Sequence, residues 1–292
     1  MPAGSSTQTE AQRWSEPLSR RLAGRRTDGD PRPRLQAILD GWREETGQTR
    51  LPIDVHGIAS ARGIQVRPAA PGVGEGRVYA ERGGVVIEVD QRQSEVRQRF
   101  TLAHELVHTA FPGFVRERRY RVDEDLGAVL FARSRSEEEL LCDWGAGMLL
   151  MPVQLIWSYR ADQGLKAIET LARAAKVSLE AAAARLVESS PKPVAFLVLD
   201  GESSGTLRVR YAKVQDLPLF VPRNARLPAS SVAALAARSG RRERGDGRLP
   251  GRSRRLFHIE AKSYPIGRGA SAHERVLMIA LPVHAARSRI AG

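Results

Sequence analysis

The spacing of apolar residues changes character several times along the chain. Residues 1–30 carry no apolar period, which predicts a disordered basic tail. From residue 31, "PRLQAILDGWREETG" places apolar side chains at helical spacing, and "PIDVHGIASARG" reads as a second helix with proline at its start and Gly63 at its end. "IQVRPA", "GRVYAE" and "GVVIEVD" then alternate or run apolar over strand lengths between glycine-rich turns. "SEVRQRFTLAHELVHTAF" resumes a helical period with Ser94 placed to cap it, and "EEELLCDWGAGMLLMP" is a further helix with Pro152 beyond its apolar end. The expectation is an α+β unit in which a small sheet backs two long helices. Downstream, "LKAIETLARAAKVSLEAAAARLVE" (165–188) reads as two short helices around "AKVS", with Ser178 capping the second. "PVAFLVLD", "GTLRVRYA", "LFHIEAKSYP" and "ERVLMIALP" are strand-like, with a helix near 229–238, giving a mixed α/β end to the chain.

Composition narrows the class. The 292 residues suffice for two or three compact units, and 42% hydrophobic residues is ordinary for a globular protein. A single cysteine, Cys142, excludes an internal disulfide framework and fits a reducing cytoplasm; its plain reading is a small apolar residue packed in a helix. The longest apolar stretches, "VAFLVL" and "VLMIALPV", are far shorter than the roughly 18–20 residues that cross a bilayer, and no apolar signal-peptide core is apparent. A soluble cytoplasmic protein with no membrane partner is expected. The net charge of +13 invites a nucleic-acid reading. Much of the arginine, however, lies in two stretches poor in apolar residues, 20–34 and 237–255, which read as a mobile tail and a long solvated loop.

The candidate chemistry lies in "RFTLAHELVHTAF", residues 100–112. Phe100, Leu102, Ala103, Leu106, Val107, Ala110 and Phe111 cover nearly every direction around this helix, so it should be buried on most sides and its ionisable groups need partners. Positions four apart lie one turn along the same face, so His104 and His108 can aim imidazole nitrogens at a common point, where a divalent metal would satisfy both. Glu105 flanks that face, well placed to act on a water there. HExxH is the zinc-hydrolase arrangement for this geometry. The competing explanation makes both histidines core residues bonded to backbone carbonyls and pairs Glu105 with Arg99. His56, His258, His273 and His284 lack such company and read as ordinary surface or packing residues.

Two imidazoles leave a catalytic zinc one protein ligand short. On the helix "SEEELLCDWGAGMLLMP", Glu139, Cys142, Asp143 and Ala146 share a face, from which Glu139 could reach the metal while Asp143 accepts a hydrogen bond from the far nitrogen of a ligand histidine. Glu139 could instead close a capping box with Ser136. Glu137, Glu138, Asp123, Glu124 and Asp125 are further acids within sequence reach.

"RQRFTLAHELVH", followed some thirty residues later by "EEELLCDWGAGMLLMP", resembles the ImmA/IrrE family of bacterial metallopeptidases, and "LPIDVHGIASARGIQV" and "GGVVIEVD" fit its entry segment, so the likeness covers residues 51–152. Carried over by position, it implies His104, His108 and Glu139 as metal ligands and Glu105 as the catalytic glutamate of a zincin-like, gluzincin-like fold. The chain departs from the commonest pattern at Val107, where glycine is frequent, and at Asp143, where asparagine is frequent. Residues 165–188 and the mixed C-terminal pattern are similar to the helix-turn-helix-like middle segment and GAF-like domain of the family's radiation-resistance branch. The resemblance thus implies a disordered tail (1–30), a zinc metallopeptidase domain (31–160), a helix-turn-helix-like segment (161–190) and a GAF-like domain (191–292) with an Arg-rich loop at 238–255. It also implies Zn2+, with Mn2+ as the other candidate ion, and a helix-turn-helix transcriptional repressor as the protein cut to induce DNA-damage genes. The alternative is a DNA-binding regulator with a structural or sensory metal. Residues 165–188 offer only Lys166, Arg173, Lys176 and Arg185 as positive charges, few for a recognition surface.

Overall fold

The computed structural model describes residues 30–70, 74–81, 84–111, 119–121 (backbone only), 137–201, 205–251, 255–266 and 273–283. They divide into two compact units: one runs to Leu155 and includes Ala175–Val177, and the other takes Ile156–Ala174 and everything from Ser178. The expected tail at 1–30 lies outside the described residues except for Asp30, as do Asp123, Glu124, Asp125, Ser136 and His284.

In the first unit, helix α1 (Arg32–Glu45) buries Leu35, Leu39 and Trp42, one stripe of its surface. Helix α2 (Val55–Ala61) starts at Asp54, whose side chain accepts from the Gly57 amide at 2.9 Å. Just past its end Gly63 takes φ +68, a left-handed conformation that glycine adopts without strain. Strand β1 (Ile64–Pro68) then runs parallel to β3 (Gly84–Val89), β2 (Gly76–Glu81) lies antiparallel on the other side of β3, and β4 (Arg119–Arg121) closes the order β1-β3-β2-β4. One face of this sheet carries the cross-strand pair Arg77–Glu88, with Tyr79 donating to Glu88 at 2.7 Å. Val78 and Ile87, both fully buried, belong to the core.

Helix α3 (Glu95–His108) packs against β2 and β3 and holds the quoted apolar run. Ser94 caps it, accepting from the Arg97 amide. Its approach to β2 is close: a Cβ on Gly76 would stand 2.4 Å from Thr101 Cγ2 and 3.4 Å from Glu105 Cγ, so glycine there lets the strand lie directly beside Glu105. Helix α4 (Glu137–Leu150) packs on α3 and α1, with Gly145 facing the methyl groups of Val107.

The second unit is a five-stranded antiparallel sheet, order β6-β5-β9-β8-β7, formed by β5 (Val194–Gly201), β6 (Leu207–Gln215), β7 (Glu243–Gly247), β8 (Phe257–Ile266) and β9 (His273–Pro282). Helix α7 (Val232–Ser239) covers one face through Val232, Ala233 and Ala236, which cluster with Leu197, Val209, Ile259 and Met278. Helices α5 (Leu165–Ala175) and α6 (Leu179–Glu188) do not form a separate segment at 161–190: α6 packs on β5 and β6, and its Glu180 accepts from Arg275 of β9 at 2.7 Å. The apolar faces of α6 and of the sheet bury each other, and this sets the unit's boundary. The Arg-rich run at 238–255 is likewise not one solvated loop. It begins inside α7 and supplies β7, an edge strand whose exposed side chains suit its composition because ladder bonds come from backbone. Among the described residues no single helix is long and apolar enough to cross a membrane.

Candidate metal centre

Helix α3 carries His104, Glu105 and His108 into the interior, each 1% exposed or less. Burying two imidazoles and a carboxylate without compensation would cost several kcal/mol, so their partners decide what the site is. Arg99, offered above as a partner for Glu105, donates to the Ile53 carbonyl at 2.9 Å. The partners come from α4. His104 Nδ1 lies 2.8 Å from Asp143 Oδ1, and His108 Nδ1 lies 2.9 Å from Glu138 Oε1. An ionised carboxylate only accepts, so each contact places the ring proton on Nδ1 and leaves the Nε2 lone pair facing the other way.

Those two lone pairs meet. His104 Nε2 and His108 Nε2 are 3.2 Å apart, and the carboxylate of Glu139 sits across both, Oε2 at 3.2 Å from His104 Nε2 and Oε1 at 3.4 Å from His108 Nε2. Three acceptors facing one point repel unless a cation lies between them. One proton would serve a single pair, whereas a divalent ion serves all three. The spacing also suits an ion: bonds of 2.0–2.1 Å at tetrahedral angles put ligand atoms roughly 3.3 Å apart. The donor set of two imidazoles and a carboxylate fits a divalent ion such as zinc, which His104, His108 and Glu139 would hold.

The electrostatics agree. Burial works against a charge on His108, yet the acids Glu139 and Glu105 beside it favour one and hold its pKa above the ordinary imidazole value. Burial would raise Glu139, but His104 and His108 outweigh it and keep that carboxyl far below the usual range. Both directions describe a point that favours positive charge. Cys142 is fully buried, as a packed apolar residue would be, and burial pushes its thiol up to about 11. Its Sγ lies 3.3 Å from His108 Nδ1, on the side away from Glu139, so a His-His-Cys grouping would compete with Glu138 for the same nitrogen.

Of the acids left open by spacing, Glu139 is the one brought to both Nε2 atoms, Asp143 and Glu138 are brought to the Nδ1 atoms, and Glu137 is exposed at the start of α4. The contact of Glu138 was missed. The available signal was its position four residues before Cys142, on the flank of the Glu139 face. His258 pairs with Asp246 at 2.5 Å, both well exposed, beside a cavity of about 490 Å³ in the second unit that is lined also by Asp162, Arg244, Glu260 and Leu281. The charged groups of that lining are already paired, His258 with Asp246, Arg244 with Glu260, and Asp162 with Arg160 and Lys192.

A family profile described as the IrrE N-terminal-like domain of peptidases matches residues 59–187. Two relatives both bear the name radiation response metalloprotease IrrE. That of Deinococcus radiodurans is 28% identical over 245 residues, 73% of this chain and 69% of its own length. That of Deinococcus deserti is 32% identical over 188 residues, 54% of this chain and 64% of its own length. A solved Mycobacterium tuberculosis transcriptional regulator shares the fold, with a TM-score of 0.56 at 17% identity over 85% of this chain and 76% of its own. The matched region, HExxH helix included, is thus a domain of metallopeptidase type. The chain is similar to the IrrE metalloproteases over this region and beyond it.

Proposed function

We propose that this chain is a zinc-dependent endopeptidase that cuts a helix-turn-helix transcriptional repressor and so induces radiation- and DNA-damage-response genes. The observation that carries the catalytic part is the convergence of His104 Nε2, His108 Nε2 and the Glu139 carboxylate, with both far nitrogens held by acids of α4. Bound zinc, or Mn2+ in its place, would supply a Lewis acid that polarises the scissile carbonyl and promotes attack by water. Glu105 is not among the three converging donors and lies on the adjoining flank of α3, walled by Gly76 of β2. Its carboxylate takes the proton of the attacking water and later delivers it to the leaving nitrogen, so the peptide bond is hydrolysed without a covalent intermediate. The radiation-response setting rests on the names of the Deinococcus relatives, and the repressor substrate on the resemblance of the sequence motifs alone. On the same resemblance we read α5–α6 as helix-turn-helix-like and the five-stranded unit as GAF-like.

A DNA-binding regulator is the second reading, favoured by the net charge of +13 and by the likeness in fold to a Mycobacterium tuberculosis transcriptional regulator. A reading helix needs an exposed face. Helix α6 has no fully exposed residue, its Arg185 is only 7% exposed, and Arg242 and Arg244 of the basic run pair with Glu169 and Glu260. Incubating the zinc-loaded protein with the helix-turn-helix repressors of its own genome, and looking for a single cut by mass spectrometry, tests the proposal. No cut in any of them, with salt-resistant, sequence-preferring duplex binding, would favour the regulator.

A further inference from the structure

The Nδ1 atom of His108 has two neighbours that would set the ring in opposite ways. Glu138 Oε1 stands 2.9 Å away and Cys142 Sγ 3.3 Å away. His108 is 1% exposed and Glu138 8%, so the contacts inside the protein decide which ring nitrogen is protonated. Accepting only, the carboxylate requires the proton on Nδ1 and turns a lone pair at Nε2 toward Glu139 and His104. The thiol can donate to Nδ1, which would move the proton to Nε2 and point it at the two other donors, closing the site to a cation. A charge-assisted N–H to carboxylate bond is roughly twice as strong as a neutral one, and a thiol is a weak donor, so Glu138 prevails.

We propose that Glu138 is a positioning residue: it holds His108 in the tautomer that a metal ligand needs, against the pull of Cys142, as Asp143 does for His104. Helix α4 then supplies one metal ligand and orients both of those on α3. This rests on the metallopeptidase reading of the same site. Acids that brace ligand histidines typically contribute 10–100-fold to metal affinity, and that sets the size of the expected effect.

The test is zinc affinity of the full chain by chelator competition, read beside the His108 ring tautomer from long-range 15N–1H spectra of the metal-free protein. Glu138→Ala is expected to weaken zinc binding by about 10–100-fold and to shift His108 toward the Nε2–H form. Glu138→Gln keeps an acceptor oxygen at the same reach and should lose less, which separates positioning from a general loss of fold. Adding Cys142→Ala to Glu138→Ala should return part of the affinity, because the donor that favours the wrong tautomer is gone. Exposed Glu137 provides the control, Glu137→Ala being unchanged. If the wild type binds zinc and Glu139→Ala loses it while Glu138→Ala matches wild type in affinity and tautomer, the inference fails and the metallopeptidase reading stands. A wild-type chain that binds no zinc overturns both.

Discussion

Two clusters of ionisable groups in this protein look alike in composition and differ in what they lack. In the second unit Glu169 of α5 accepts from Tyr264 at 2.7 Å, Lys262 at 3.0 Å and Arg242 at 2.5 Å, so donors and acceptors match within the protein. Between α3 and α4, by contrast, His104 Nε2, His108 Nε2 and Glu139 present acceptor to acceptor at 3.2–3.4 Å. The first arrangement is complete and ties a helix to a sheet. The second would be completed by a cation at its centre. Matching of donors to acceptors, more than burial or charge count, separates a structural network from a binding site.

Substitutions that unbalance each cluster should therefore have different readouts, and the largest effect belongs to the metal centre. Glu139→Ala is expected to abolish cleavage and to weaken zinc by more than the roughly 10–100-fold loss expected for an outer contact, while the chain stays folded. Zinc titration with circular dichroism checks this, and unchanged zinc binding would remove Glu139 from the ligand set.

The Glu169 cluster should respond to pH instead. Burial would raise Glu169, but Tyr264, Arg242 and Lys262 outweigh it and hold its carboxyl at about 2 in the folded chain, below the ordinary value of 4.5. A depressed folded pKa contributes stability that is present above about pH 4.5 and is lost as the pH falls toward about 2. The size is of order 3 kcal/mol. Glu169→Gln should flatten that acid limb of the unfolding curve and leave zinc affinity at the wild-type level. A drop in zinc affinity would show that the two clusters are not independent.

Smaller effects probe the seam between α3 and α4. A Cβ at Gly145 would stand 2.8 Å from Val107 Cγ1, so Gly145→Ala should cost about 1–3 kcal/mol, and Val107→Ala in the same chain should recover much of it. Thermal unfolding of the two single variants and the double measures the coupling; simple additivity would mean the helices adjust freely. Smallest is Ser94→Ala, which removes the cap on the Arg97 amide and should cost about 1 kcal/mol with no change in zinc affinity.

The local chemistry of the first unit was readable from the sequence. Ser94 and Gly63 stand where helix ends require an acceptor or a left-handed residue, as Ser178 does in the second unit, and apolar periods mark the helices and strands. Helix α2, which reads from sequence as opening on proline, instead begins at Val55 with Asp54 as its cap. His104, Glu105, His108 and Glu139 could be nominated because periodicity fixes which side chains share a face. It does not fix what that face meets. From sequence Glu138 is therefore only one possible ligand among several and Cys142 plain packing, although the Glu138 carboxylate reaches the outer nitrogen of His108. Strand β7 was hidden for another reason: an edge strand holds its place by backbone hydrogen bonds, so a run of arginine, glycine and aspartate carries no apolar alternation to betray it. The grouping of α6 with the five-stranded sheet depends on contacts between residues about a hundred positions apart, such as Glu180 with Arg275, which no local pattern records.

The most direct test of the central claim is Glu105→Gln, measured for zinc content and for repressor cleavage in one preparation. Because His104, His108 and Glu139 remain, the variant should bind zinc at the wild-type ratio, while losing the proton carrier should slow hydrolysis by about 10²–10⁴-fold. Cleavage at the wild-type rate by the zinc-loaded variant, or a loss of zinc on this substitution, would contradict the assignment of Glu105 as base and of the α3–α4 cluster as a metal-dependent proteolytic centre.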